Sequence, residues 1–150
     1  MTKLTTNEVK TLERAARILE KLVLTSDTFS SPEMAGRYLQ AKIGAKPHEA
    51  FVALFMSTKH QVIAVDEMFR GTIDGAAVYP REVVKAALDH NAAAIIFAHN
   101  HPSGSLEFSE ADRAITRRLQ DALSFVDVRV LDHILVSPAG WVSMAQRGWL

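Results

Sequence analysis

Seven residues constrain this chain more than any others: AAAIIFA, residues 92–98. The run is wholly apolar, too short for a typical helix, and bounded by the polar residues Asn91 and His99. Such a run fits a strand covered on both faces, and we place it at 93–98. A strand buried on both sides needs helices above and below it. The expected fold class is therefore α/β, a mixed sheet with helices on its faces.

The flanking sequence supplies those partners. Val9, Leu12, Ala16, Leu19 and Val23 recur at helical spacing, and Thr5 with Glu8 can form a capping box ahead of them. After the loop TSDTFSS, Pro32 suits the first turn of a second helix that runs to about Ile43 and is closed by Gly44. Two β-branched and aromatic-rich runs, 49–57 and 61–69, flank the polar TKH and read as a hairpin. A loop, RGTIDGAAVYP, leads to a helix from Pro80, with Val83, Val84, Ala87 and Leu88 on its apolar face and Asn91 at its end. Ser109 opens another helix, lined by Ala111, Ile115, Leu119 and Ala122. VDVRVLDHILVS supplies one or two strands, and PAGWVSM a turn and a short last strand. The 150 residues, 48% of them hydrophobic, suit one core. We divide them into a helical prefix, 1–45, and an α/β domain, 46–150.

Composition excludes several chemistries. With no cysteine there is no disulfide, thiol nucleophile or Cys-based zinc finger, so any zinc must take His, Asp or Glu. The net charge is zero, which lends no support to a nucleic-acid partner. The polar start, MTKLTTNEVK, is unlike a signal peptide, and no run has the length of a membrane span. A cytoplasmic protein without membrane contact is the expectation, and homo-oligomerisation stays open.

The buried run ends in His99-Asn100-His101. In extended backbone, residues two apart point the same way, so both imidazoles can face one point at a strand end. Asp112 falls in the first turn of the next helix and can complete a two-His, one-Asp set, which would leave a fourth zinc position for water. Two plainer readings stand beside this one. Ser109 and Asp112 spell a capping arrangement, and HNHPSG is rich in turn formers. A metal-binding Asp112 would not be free to act as an ideal cap.

The spacing His99-x-His101, seven residues, Ser109, two residues, Asp112 resembles the H-x-H-x7-S-x2-D motif of the JAMM (MPN, JAB) metalloprotease family. GTIDGAAVYPREVVKAALDHNAAAIIFAHNHPSGSLEFSEADRAITRRL, followed by LDHILVS, is similar to the RadC-like branch, over about residues 48–150. The chain looks like a short form without the N-terminal helix-hairpin-helix region of longer members. The resemblance implies a three-layer α/β/α, cytidine-deaminase-like fold. It also implies a Zn2+ ion on His99, His101 and Asp112, with Ser109 as a hydrogen-bond donor to the oxyanion. A glutamate upstream would be the general base. Glu67, in VDEMFRGT, is the matching position, with Glu82 as its competitor. The implied activity is zinc-dependent hydrolysis of a peptide or isopeptide bond in an unknown peptide or protein substrate. Two other functions remain open: a DNA-repair-associated accessory protein and a non-catalytic MPN interaction module. A nucleobase deaminase is excluded, because it needs H-x-E with P-C-x-x-C.

Other residues take structural readings. His133, in LDHIL, matches the RadC-like frame and is expected as a hydrogen-bonded structural histidine, with orientation of a metal ligand as the alternative. His48, His60 and His90 are expected at the surface. Asp66 should face away from Glu67. Arg113, Arg117 and Arg118 are read as a solvated helix face, Trp141 and Trp149 as packing residues. Asn100, Pro102, Ser103 and Gly104 should shape the loop that aims the histidines.

Overall fold

The computed structural model describes residues 3–25, 31–71 and 77–150, the side chains of 23–25 excepted. Val23 as a face residue, most of TSDTFSS and the centre of the RGTIDGAAVYP loop lie outside the described residues. The elements follow the expected order: α1 (Thr6–Thr25), α2 (Pro32–Ile43), β1 (Ala50–Met56), β2 (Val62–Arg70), α3 (Pro80–Asp89), β3 (Ala94–Asn100), α4 (Glu110–Ser124), β4 (Arg129–Ser137) and β5 (Gly140–Ser143).

Local chemistry sets the boundaries. The Thr5 N–H donates to Glu8 Oε2 at 2.7 Å and the Glu8 N–H to Thr5 Oγ1 at 3.3 Å, which closes the capping box of α1. Ser31 caps α2 by accepting from the Met34 N–H, and the Gly44 N–H closes it on Gln40 O. Asn91, just past α3, takes a left-handed φ of 52°, a conformation Asn tolerates.

The sheet is mixed, in the order β2-β1-β3-β4-β5. Only β3 and β4 run parallel; every other neighbouring pair is antiparallel. A parallel pair needs a crossover, and α4 supplies it, so α4 starts beside the end of β3. Side-chain alternation divides the core in two. Phe51, Ala53, Phe55, Ile95 and Phe97 pack against Val83 and Ala87 of α3 and Leu119 and Leu123 of α4. Val52, Leu54, Met56, Ile96 and Ala98 pack against Tyr38, Leu39 and Ile43 of α2. These are the three layers of an α/β/α domain. Because α2 forms one of them, residues 32–43 share a core with the sheet although the sequence reads them as part of a prefix.

Three details differ from the sequence reading. First, β3 runs on to Asn100, because His99 is held from both sides, opposite Phe51 of β1 and Leu135 of β4. Second, Leu88 is 56% exposed, whereas Val83 and Ala87 are buried. It follows Ala87 by one residue, and that rotation of about 100° turns it out of the contact. Third, the inward line of α4 is Asp112, Thr116, Leu119 and Leu123, with Ile115 and Ala122 half-buried and Ala111 exposed. Polar residues take the first inward positions because the strand end they face is polar.

Gly36 of α2 meets Trp141 of β5 face on: a Cβ built there would lie 2.3 Å from the indole. Trp141 is thus a packing residue, as expected. Gly36→Ala should destabilise the fold by about 1–3 kcal/mol through overpacking, despite the better helix propensity of Ala. A lowered midpoint in urea with an unchanged m-value is the expected result.

Candidate metal centre

The centre assembles where β3 ends and α4 begins. His99 Nε2 lies 3.1 Å from His101 Nε2 and 3.2 Å from Asp112 Oδ2, and His101 Nε2 lies 3.3 Å from the same oxygen. Two zinc ligands at ordinary bond lengths in a tetrahedron stand about 3.3 Å apart. The three donor atoms thus have the spacing of three corners of a zinc site, and the donor chemistry fits the ion. Glu49 joins them: one ligand atom from each of Glu49, His99, His101 and Asp112 lies within 4.8 Å of the others. Among the described residues no ion pair of 4.0 Å or less joins Glu49 to either histidine. Its carboxylate stands back from the two histidines.

Strand register explains the membership. Glu49 precedes β1 by one residue and shares a face with Phe51, which is opposite His99. Continuing that antiparallel register sets Glu49 beside His101. Asn100, on the opposite face, locks the arrangement. Its Oδ1 accepts from the Ala50 N–H at 2.7 Å, and its Nδ2 donates to His48 O at 3.0 Å and Lys46 O at 3.3 Å. It therefore aims the segment that carries Glu49, a role beyond shaping the histidine loop. The loop itself turns at Gly104, whose φ of 84° suits glycine and whose N–H returns to His101 O.

Glu67 is not part of this group. In register with the pair Phe51 and Phe69 it would stand opposite Ala53, on the histidine face, but a bulge between Phe51 and Val52 sets it opposite Val52, on the α2 side. There its Oε1 lies 3.7 Å from both His48 Nε2 and Arg70 Nε. Glu82, its competitor, sits exposed in the first turn of α3 beside Arg81. Asp66 faces the other way from Glu67, as expected, and bonds His90 at 2.6 Å. His90 is therefore a half-buried latch between β2 and the end of α3, not a free surface residue. His60 occupies the hairpin turn with φ 57°.

Asp112 does two jobs that the sequence reading set against each other. Its Oδ2 accepts from the Ser109 N–H at 2.8 Å, while its N–H donates to Ser109 Oγ at 3.0 Å, a complete capping box. The same Oδ2 faces both histidines. Burial pushes its carboxyl up, but its contacts with His101 and His99 outweigh that and hold it far below the carboxylate range. His101 is raised, chiefly by its hydrogen bond with Asp112, against the effect of burial. His133 is completely buried and lies against His99, with Nε2 2.8 Å from His99 Nδ1. Burial first, and then the neighbouring His99, hold it well below the usual imidazole range.

Aromatic and basic groups wall the site. Phe108 lies between His99 and Trp149, and the Arg113 and Arg147 guanidiniums stack on Trp149 at 4.3 and 5.1 Å. Trp149 is thus an arginine platform as well as a packing residue. Arg113 also pairs with Glu110, whereas Arg117 and Arg118 are exposed. A cleft of about 640 Å³ opens beside the centre, bordered by His48, Glu49, Gly71, His101 and Pro102. Among the described residues no helix is long and apolar enough to cross a membrane.

An α/β/α domain whose central strand ends in a histidine pair, completed by an aspartate from the crossover helix, defines the JAB class of fold. A family model for the RadC-like JAB domain matches residues 29–149, and the chain belongs to that family. A protein of Vibrio cholerae named UPF0758 protein is 54% identical over 143 residues, 95% of this chain and 90% of that relative. Relatives of the same name from Marinobacter nauticus and Cellvibrio japonicus are 52% and 55% identical over 91% and 93% of this chain. The chain spans only 61% and 62% of their lengths.

Divalent ions bind unprotonated imidazole, and Asp112 favours the protonated form of His101. Protons therefore compete with the ion, and the competition begins above the ordinary histidine value of about 6.5. Zinc affinity, measured by competition with a chromophoric chelator, should weaken steadily as pH falls from about 8 to about 6. An affinity independent of pH over that range would contradict this.

Proposed function

We propose that this protein is a zinc-dependent hydrolase of peptide or isopeptide bonds, with His99, His101 and Asp112 as metal ligands. The triangle of donor atoms with edges of 3.1–3.3 Å, backed by Glu49, carries the reading. A zinc ion held there would polarise a carbonyl oxygen and bring the pKa of a water to about 7.

The chain's own residues supply the rest. Glu49, rather than Glu67, is the general base: its carboxylate is on the histidine face and borders the open cleft. It takes a proton from the attacking water and returns it to the leaving amine, a role worth roughly 10²–10⁴ in rate. Ser109 is exposed, and its Oγ accepts the Asp112 N–H through a lone pair, so its own proton remains available. That hydroxyl is the donor to the developing oxyanion, worth about 3 kcal/mol. The cleft beside Glu49 and His101 receives an extended chain, with Phe108 keeping the far side of His99 dry.

Metal analysis of the protein purified without chelator should give close to one zinc per chain, and Asp112→Ala should lose most of it. Glu49→Gln should keep the zinc and lose turnover of peptide and isopeptide substrates, while Glu67→Gln should retain both. No zinc on the unmutated chain after reconstitution would sink the metal reading. Loss of turnover in Glu67→Gln with Glu49→Gln active would reverse the assignment of the base.

A further inference from the structure

A chain of short hydrogen bonds runs behind the triangle of donor atoms and returns to it. The Thr116 hydroxyl lies 2.7 Å from the backbone carbonyl of Asp112 and 2.6 Å from His133 Nδ1. His133 Nε2 lies 2.8 Å from His99 Nδ1. Thr116 and His133 are both buried, so water does not complete their valences.

With both imidazoles neutral, proton accounting along this chain has one solution. A carbonyl oxygen only accepts, so the single proton of Thr116 must go to Asp112. Thr116 Oγ1 can then only accept from His133, whose proton must sit on Nδ1. Neutral imidazole has one N–H, which leaves His133 Nε2 as an acceptor. His99 Nδ1 must donate to it, and the lone pair of His99 is left on Nε2, the atom at 3.1–3.2 Å from the other two donors.

The geometry points to Thr116 and His133 as positioning residues that set the tautomer of His99, so that its Nε2 is presented bare to a metal ion. The inference rests on the metal reading above and adds to it two residues outside the ligand set. The anchor of the relay is the helix turn that also carries Asp112, so one turn of α4 both supplies a ligand and selects the ring atom of another. Histidine ligands commonly donate their second nitrogen to a carboxylate or carbonyl, and loss of such a partner typically costs about 10–100-fold in metal affinity. Here a second histidine is the partner, and it acts correctly only while Thr116 holds its Nδ1 proton.

The test pairs histidine side-chain nitrogen NMR with zinc competition titration, on the parent, Thr116→Val and Thr116→Ser. In the metal-free parent, both His99 and His133 should carry a proton on Nδ1, with Nε2 of His133 bare. Thr116→Val keeps the shape but removes the acceptor. It should disturb the His133 tautomer and weaken zinc binding about 10–100-fold. Thr116→Ser should restore both. A parent with His133 protonated at Nε2 overturns the relay, and this readout needs no variant to fold. So does Thr116→Val with the parent's tautomers and affinity. A parent that binds no zinc instead fails the metal reading, and the relay is then decided by the metal-free spectrum alone.

Discussion

Everything at the centre depends on how the end of β3 is held. His99 is bonded into the sheet from both neighbouring strands, so its backbone has no freedom to drift. Alternation then sends His99 and His101 toward α4 and Asn100 toward α2. Each direction meets a fully satisfied set of partners: Asn100 fixes the segment 46–50, and His99 meets His133. A site built on strand ends and braced by buried hydrogen bonds keeps its donor atoms near the distances a metal requires.

Electrostatics explains why such a cluster tolerates its own burial. Two imidazoles and a carboxylate within 3.3 Å would be costly if each kept its charge alone. Asp112 lowers that cost by accepting from the helix N-terminus through Ser109 while facing both rings. Capping the helix and facing the two histidines therefore cooperate. The carboxylate is oriented by the helix it caps, and the helix is located by the crossover from β3 to β4.

Much of this was legible beforehand, and the parts that were not share one cause. Element order, the caps at Thr5 and Ser109, and the triad His99, His101 and Asp112 follow from periodicity and from motif spacing. Local sequence carries those signals, because capping and helical periodicity act over a few residues. In the first turns of α4 the inward line was placed one residue off, at Ala111 and Ile115 instead of Asp112 and Thr116, since those two are polar and hydropathy discounts them. Glu67, the position the resemblance pointed to, lies outside the cluster and Glu49 lies within it, because facing direction in a hairpin depends on register. Register shifts at both ends of the β1–β2 ladder, between Phe51 and Val52 and between Phe55 and Met56, leave Glu67 on the other side of the sheet. A bulge leaves no plain mark in composition. The useful signal for Glu49 was its parity with Phe51 at the start of an apolar strand, but it gains meaning only once β1 is known to run antiparallel to β3.

The sequence by itself determined that this is a layered α/β chain with a histidine pair at the end of a buried strand and an aspartate at the start of the following helix. Those features arise from interactions between residues close together in the chain. Only the tertiary structure decided which glutamate shares the site, and that His133 and Thr116 stand behind His99. Those residues are separated from His99 by seventeen to fifty positions, and no periodicity links them to it. Strand register and the packing of α4 on the sheet bring them together, because side-chain direction in a sheet is settled by pairing rather than by propensity.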